Sequence, residues 1–315
     1  MYQLNKLAKE YGIEEEILQN YCTTHSINTK KTKTCIQQLL PFIEAQTNRK
    51  FSQLPESNFS IQYENKEVSI YKDDAISFLQ KLPSNSIDII VTDPAYSGMN
   101  NQLKLGKGRI VGKYSEKGQE NGKWFDEFQD SVENYSIFLN ECQRVLKKST
   151  GHIYIMFDSY SLLSLGNTVR SFFDVKNIIT WDKVNIGMGH YYRRRHEYII
   201  FATNGNTRKI KNRSFPDVWR FKRIHNASYP TQKPVELFQA MIYASTEEGF
   251  TVCDPFLGSG SSAVAAIKNK CNFIGCDISD KSINTVQSRL NEFINTNTDP
   301  IQKNSAVVDK KVFWE

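Results

Sequence analysis

The chain has no run approaching the ~20 consecutive apolar residues that a helix needs to cross a bilayer. That lack excludes a helical membrane span. Cysteine is sparse and scattered, at 22, 35, 142, 253, 271 and 276, with no Cys-x-x-Cys pair and no histidine cluster beside any of them. The spacing excludes a zinc-finger ligand set and gives no disulfide framework, so buried reduced thiols and no metal site are expected. Internal repeats and low-complexity blocks are missing too, which excludes a solenoid. The opening residues Met1 to Lys6 soon meet Glu10 and Glu14 to Glu16, unlike a secretory signal. A cytoplasmic protein is the expectation.

What is present is 315 residues, 39% of them hydrophobic, which is enough for one α/β core and an appendage. The net charge of +6 is modest, but its distribution is uneven. Ser97 to Phe125 carries +4 and Lys183 to Ser228 carries +9, leaving −7 for the rest of the chain. Basic charge gathered into two windows of an otherwise acidic protein suits a polyanion, because phosphate neutralisation releases counterions. A solvated charged face is the alternative.

Three regions follow from the patterning. Residues 1–60 read as a separate helical region. Leu4, Leu7 and Ala8 share one helix face, Gly12 breaks it, and Ile17, Leu18 and Tyr21 repeat the spacing. A further helix is expected from Thr34 to Ala45, bent or ended by Pro41. The region is either helix-turn-helix-like or dimerising. Glu14 to Glu16 at the second helix start suit the helix dipole and not a phosphate backbone.

Residues 61–300 alternate strands with helices. Strands are expected at Val68–Tyr71, Ile87–Thr92, His152–Phe157, Asn177–Trp181, Glu197–Ala202, Thr251–Cys253 and Asn272–Cys276. Helices are expected at Ala75–Lys81, Val132–Lys147, Val235–Thr246, Gly260–Lys268 and Lys281–Phe293. The alternation implies a doubly wound, mostly parallel sheet that binds ligands beyond its carboxyl edge. Residues 301–315 read as a loose polar tail.

Two segments fall where such a sheet binds ligands. Asp254-Pro255-Phe256-Leu257-Gly258-Ser259-Gly260 joins a strand to a helix, and its glycines let backbone approach a ligand at the helix start. Asp277 ends the next strand 19 residues beyond Gly258, where a carboxylate accepts hydrogen bonds from ribose hydroxyls. This half alone also fits a dinucleotide turn, and hence a nicotinamide-dependent oxidoreductase. Asp93-Pro94-Ala95-Tyr96 follows a buried strand. An aromatic amine is a poor nucleophile, and acceptors such as the Asp93 carboxylate and the Pro94 carbonyl would draw its protons and favour the attacking form. Tyr96 offers a face on which an extruded base can stack. An isolated Asp-Pro pair would be better read as a strand cap and turn.

Asp74-Ala75, Leu79, Leu82-Pro83, Ser86-Ile87-Asp88 and Asp93 to Tyr96 together resemble the catalytic region of amino-methylating DNA methyltransferases. Asp254 to Gly260 is similar to their methionine-binding loop, and Tyr229-Pro230-Thr231-Gln232-Lys233-Pro234 to the segment preceding it. Arg144 to Lys147, Trp181 and His196 to Tyr198 fall where the family has similar residues. The order, catalytic motif before cofactor motif, is that of the β group, and the resemblance spans residues 66–294. It implies a Rossmann-like seven-stranded fold and S-adenosyl-L-methionine as cofactor. Asp93, Pro94 and Tyr96 would hold the target base, and Phe256, Gly258 and Gly260 would line the methionine end, with Asp254 at the strand tip. Asp277 would meet the ribose and Asp74 the adenine edge, with Thr231 and Lys233 near the cofactor carboxylate. Ala95 stands where proline is commoner and Asp73 where glycine is usual, but neither removes a catalytic group. Aspartate at 93 favours adenine; cytosine-N4 methylation and a non-catalytic, cofactor-sensing DNA-binding regulator are the alternatives.

Double-stranded DNA is the expected partner. Residues 97–125 read as a mobile insertion carrying Lys104, Lys107 and Arg109, and residues 203–228 as a target-recognition segment. Arg193, Arg194, Arg195, Arg208, Lys209, Lys211 and Arg213 are the other DNA-binding candidates. A second copy of the chain and a separate restriction endonuclease are the candidate protein partners. Replacing Lys104, Lys107 and Arg109 together with alanine is expected to weaken DNA binding and flatten its salt dependence; an unchanged salt slope would remove the insertion from the interface.

Overall fold

The strand leading to Asp93, β3 (Ile89–Thr92), is buried at all four positions, as a strand covered on both faces must be. The structure is a computed structural model. It describes residues 13–25, 56–94, 131–187, 191–205, 208–224 and 231–308, with the single positions 4, 8, 27, 39, 42, 128, 227 and 229. Around β3 the described strands are β1 (Phe59–Tyr63), β2 (Lys66–Lys72), β4 (His152–Phe157), β5 (Asp174–Asp182), β6 (His196–Thr203), β7 (Val218–Arg220), β8 (Thr251–Asp254) and β9 (Asn272–Asp277). They form one sheet in the order β1-β2-β9-β8-β3-β4-β6-β5-β7. The expected seven strands are therefore nine. β1 and β7 add themselves to the two edges, and β1 begins ahead of residue 61.

The five central strands, from β2 to β4, are parallel. β6 runs antiparallel to both β4 and β5, and β1 antiparallel to β2, so the sheet is mixed. Because β5 is parallel to β4, the β5–β6 loop emerges at the carboxyl edge of the sheet. The chain returns along β6 to the amino edge before entering β7. Strand periodicity carries no direction, so this reversal was not legible in the sequence.

One face of the sheet is covered by α5 (Val235–Ser245), α6 (Ser261–Lys268) and α7 (Asp280–Thr296), with Ile89, Val91, Tyr154, Met156 and Ile199 facing them. The other is covered by α2 (Ala75–Lys81), α3 (Val132–Val145) and α4 (Ser159–Phe172), with Ile90, Ile153 and Ile155 beneath. Helix α4 was not expected from its serine- and glycine-containing sequence. It forms because Asp158 caps it, accepting from the Tyr160 and Ser161 amides at 2.8 Å, and because Leu165 and Val169 bury. The described part of the N-terminal region has its own small core: Ala8, Ile13, Leu18, Cys22 and Leu39 around α1 (Glu15–Thr24). Most of the expected Thr34–Ala45 helix lies outside the described residues. No described helix is long and apolar enough to cross a membrane.

Residues 301–308, expected to be loose, pack on the protein instead. Glu236 is buried and accepts from the Ala306 amide and the Gln302 side chain, while Gln302 Oε1 accepts from the Val235 amide at the start of α5. An unpaired buried carboxylate at Glu236 would be costly, so the tail is held where it satisfies it.

At the amino edge, His152 is fully buried between the Ser245 hydroxyl (2.7 Å) and the Arg208 carbonyl (2.9 Å). Burial, with the nearby Arg208 charge, pushes its pKa down to about 4. The folded state therefore binds fewer protons than the unfolded state between pH 6.5 and 4. Stability is present above that window and falls through it, by at most about 1.4 kcal/mol per pH unit from this group. Denaturant titrations of His152→Gln are expected to show a shallower acid loss over that window than wild type.

Candidate active site

Between β8 and β3 the winding of the sheet reverses: β8 leads to β9 on one side and β3 to β4 on the other. Such a switch point opens a crevice at the carboxyl edge. Four consecutive parallel strands, β2, β9, β8 and β3, deliver a carboxylate to that edge or just past it, at Asp74, Asp277, Asp254 and Asp93 respectively.

Asp254 is 1% exposed and organises the crevice. Its Oδ1 accepts from Thr92 Oγ1 on β3 and from the Phe256 amide, both at 3.0 Å, and its Oδ2 accepts from Ser262 Oγ at 2.5 Å. One buried group thus binds the strand before Asp93, the glycine loop and the first turn of α6. Burial pushes its pKa up to about 7 against those three hydrogen bonds. With both oxygens so engaged, its role is to hold the loop and not to reach outward.

The loop is fixed at other points as well. Asp277 Oδ2 accepts from the Gly258 amide at 2.8 Å and its Oδ1 from the Ser279 amide at 2.9 Å. Arg289, buried from behind, donates to the Ser259 carbonyl at 2.8 Å and to Ser261 Oγ at 3.1 Å, while its own charge is met by Asp299. Gly260 has φ of +81°, and a Cβ there would stand 2.9 Å from Val286 Cγ2. The packing of α7 against this turn therefore demands glycine, besides any approach of a ligand. Asp74 serves first as the cap of α2, its Oδ1 accepting from the Ile76 and Ser77 amides. The side chain is exposed beside β9, where the Asp73 amide donates to the Asp277 carbonyl.

Across the crevice, Lys233 forms an ion pair and hydrogen bond with Asp93, and its ammonium also lies 3.8 Å from Glu197. Lys183 pairs with Glu197 at 2.9 Å. Burial raises the Asp93 pKa, the Lys233 charge opposes this, and the charges of Glu197 and Asp158 add to the rise. Burial works against the charge of Lys233, but Asp93 and Glu197 outweigh it and hold the ammonium above its ordinary pKa. Lys233 and Lys183 likewise outweigh burial at Glu197 and keep that carboxylate below its ordinary pKa. The arrangement is a charged cluster of alternating sign. Among the described residues no group of three His, Cys, Asp or Glu side chains is disposed to hold a metal ion.

A half-buried acceptor at a strand tip, facing a glycine loop at a helix start, fits a reaction between a nucleotide-like cofactor and a polar group. The N6/N4 DNA methylase family model matches residues 87–288, from the strand before Asp93 to a point beyond Asp277. The chain belongs to this DNA methylase family. It is 30% identical over 219 residues to the type II methyltransferase M.HhaII of Haemophilus parahaemolyticus, a match covering 66% of this chain and 89% of that one. With M2.DpnII of Streptococcus pneumoniae it shares 27% over 259 residues, covering 75% and 94%. The fold is shared with the PvuII DNA methyltransferase (cytosine-N4-specific), at TM-score 0.53 and 14% identity over 72% of this chain and 91% of that one. TTHA0409 of Thermus thermophilus shares it as well, at TM-score 0.53 and 18% identity over 73% and 96%.

Of the methylase site residues expected from sequence, Asp93, Pro94, Lys233, Asp254, Phe256, Gly258, Gly260 and Asp277 meet at the crevice. Thr231 is exposed in the same turn, with φ of +57°. Tyr96, Lys104, Lys107 and Arg109 lie outside the described residues. The basic residues divide between the two edges. Arg193, Arg194 and Arg195 sit in the β5–β6 loop at the carboxyl edge. Arg195 pairs with Asp182, Arg193 donates to the Gly187 carbonyl, and Arg194 stacks over Tyr160. Arg208, Lys209, Lys211 and Arg213 follow β6 and so stand at the opposite edge. There Arg208 donates to the carbonyls of Thr150 and Ser245, and Lys211 lies over the Tyr243 ring, 3.7 Å from Glu247. The described part of the 203–228 segment divides: residues 208–211 pack at the amino edge and β7 joins the sheet. Arg289, Lys183 and Asp158 were not singled out from sequence. A lone charge within an apolar stripe was the available signal for Arg289.

Asp254→Ala leaves the Phe256 amide and the Thr92 and Ser262 hydroxyls without their acceptor, and is expected to cost about 3 kcal/mol. Asp254→Asn keeps an acceptor toward Thr92 and Phe256 and should cost under about 1 kcal/mol. Denaturant unfolding of the two variants checks the contrast, and equal losses would deny the hub its role.

Proposed function

We propose that the chain methylates the exocyclic amine of adenine in double-stranded DNA, using S-adenosyl-L-methionine. The observation that carries the reading is the seating of Asp93 and Pro94 directly across the switch point from the 254–260 loop. The loop suits the cofactor. It presents backbone amides at the start of α6, where the helix dipole favours negative charge, and Asp277 stands beside it with a half-exposed carboxylate able to accept from ribose hydroxyls. When bound, S-adenosyl-L-methionine supplies a methyl group made electrophilic by its sulfonium.

The protein's part is to bring an amine to that methyl in reactive form. Asp93 accepts one amine proton and the Pro94 carbonyl the other, which shifts the nitrogen lone pair out of conjugation with the ring. Tyr96 stacks on the base once it has left the duplex. Lys233 divides its charge between Asp93 and the cofactor carboxylate, and so fixes the separation of the two reactants. Its pairing with Asp93 and Glu197 supports that role. DNA approaches the carboxyl edge, where the β5–β6 loop exposes Tyr191, Tyr192 and Arg193. Arg208, Lys209, Lys211 and Arg213 are too far round the sheet to join it.

Adenine is chosen over cytosine because aspartate, and not serine, precedes Pro94. Cytosine-N4 methylation would keep every site residue. Incubation of unmethylated DNA with labelled cofactor, digestion to nucleosides and identification of the product decides between them. N6-methyladenine formed by wild type and reduced roughly 1,000-fold or more in Asp93→Ala is the expected result. N4-methylcytosine would change the base and keep the mechanism, and transfer to no DNA would overturn the reading.

A further inference from the structure

Buried polar side chains in folded proteins nearly always have partners, so exceptions mark places where something else belongs. Two exceptions occur together just past the tip of β4. Asp158 is 8% exposed, yet its Oδ2 has no hydrogen-bond partner among the described residues, and Ser161 Oγ, 1% exposed, has none there either. Only Oδ1 of Asp158 serves as the cap of α4. A cap needs one oxygen, so the second is free for another task.

The sheet tells which task. Thr92 lies opposite Ile155 in the β3–β4 register, and Phe157 opposite Tyr198 in β4–β6. Asp158 therefore follows next to Glu197 on one side and, on the other, two residues beyond the position level with Asp93. The glycine loop and Asp277 lie on the far side of β3, over β8 and β9. Cofactor and base thus occupy opposite sides of Asp93, and Asp158 is on the side of the base. The Asp158 charge is close enough to Asp93 to act on it together with that of Glu197, and Arg194 from the β5–β6 loop stacks over Tyr160 two residues on. Lys233 and Lys183 are engaged by Asp93 and Glu197, while Asp158 answers only to two helix amides.

We propose that Asp158 is a second carboxylate of the amine site, whose free oxygen faces the extruded base and stabilises the positive charge that its amine acquires. This rests on the methylation reading above. In the transfer the amine nitrogen gives its lone pair to the methyl carbon as the S–C bond breaks, and that bond's electron pair stays on sulfur. Sulfur becomes a neutral thioether and the positive charge moves to nitrogen, until one amine proton passes to Asp93 and then to solvent. The cation therefore travels from the β8–β9 side to the β3–β4 side. A fixed negative charge at the destination favours the transition state over the ground state, the condition for faster chemistry.

Asp158→Asn and Asp158→Ser test this, because asparagine and serine both cap helices about as well as aspartate. Each variant should keep the wild-type thermal midpoint and affinity for S-adenosylhomocysteine. Single-turnover methylation of unmethylated DNA should fall at least tenfold in both. As a second readout, sinefungin carries an ammonium where the methylsulfonium stands, whereas S-adenosylhomocysteine is neutral there. The calorimetric preference for sinefungin over S-adenosylhomocysteine should drop at least threefold. Wild-type methylation with variant rates within twofold would overturn the assignment and leave Asp158 a cap. An unchanged analogue preference would overturn it as well, whether or not wild type methylates. A wild type that methylates no DNA overturns the parent reading instead.

Discussion

The site rests on a carboxylate that never leaves the interior. Asp254 joins Thr92, the Phe256 amide and Ser262, and these three belong to β3, the glycine loop and α6. Without it, the direct link between the strand that delivers Asp93 and the loop that faces it would rest on two things. One is the sheet ladder, whose pairing of β3 with β8 spans just two residues, and the other is Lys233, which pairs with Asp93 and whose carbonyl accepts from Ser261. A short ladder permits small rotations, and a transfer reaction tolerates little error between its partners. The hydrogen bonds to Asp254 convert two neighbouring segments into one rigid unit. Arg289 does the same from the other side of the loop, through Ser259 and Ser261.

The alternating cluster of Asp93, Lys233, Glu197 and Lys183 solves a second difficulty. In the role proposed for Asp93, a carboxylate that accepts amine protons must be sheltered from water yet remain charged. Burial alone drives Asp93 toward its neutral acid, which could not serve as an acceptor on both lone pairs. Lys233 opposes that drift, and Glu197 in turn keeps Lys233 from being an unbalanced cation. Lys233 and Glu197 are thereby held in their charged forms, and Lys233 offsets part of the burial cost at Asp93. This explains why a glutamate is found at the start of β6, on the face that farther along carries Ile199 and Phe201 into the core.

How much of this was legible in the sequence depended on periodicity and on local chemistry. His152–Phe157 and Ala75–Lys81 were read at their observed limits because apolar runs and caps mark them. β1 escaped because five residues of alternating burial at a sheet edge leave little signal, and α4 because its buried positions are interspersed with serine and with an exposed Leu163. The site motifs were legible because Asp-Pro after a buried strand and glycines before a helix carry geometric demands of their own. The contacts between motifs were not. Nothing in the spacing of Asp93 and Lys233, 140 positions apart, announces their ion pair.

The direction of β6 has the widest consequences for the basic residues. Net charge counted along the chain treats Lys183 to Ser228 as one window, but an antiparallel strand divides it between the two edges of the sheet. Arg193 to Arg195 lie at the carboxyl edge, whereas Arg208 to Arg213 follow β6 at the amino edge, where Arg208 satisfies the carbonyls of Thr150 and Ser245. A guanidinium so engaged contributes to folding and little to a phosphate contact. The positive charge at the carboxyl edge, where DNA is proposed to approach, is accordingly smaller than the count of +9 suggests. On the proposed reading, more of the binding falls to the β5–β6 loop, where Tyr191 and Tyr192 are exposed beside Arg193. The β5–β6 loop and the tip of β3 share the carboxyl edge, so the charge proposed to attract the duplex and the groups proposed to act on the base are set on one edge by the topology itself.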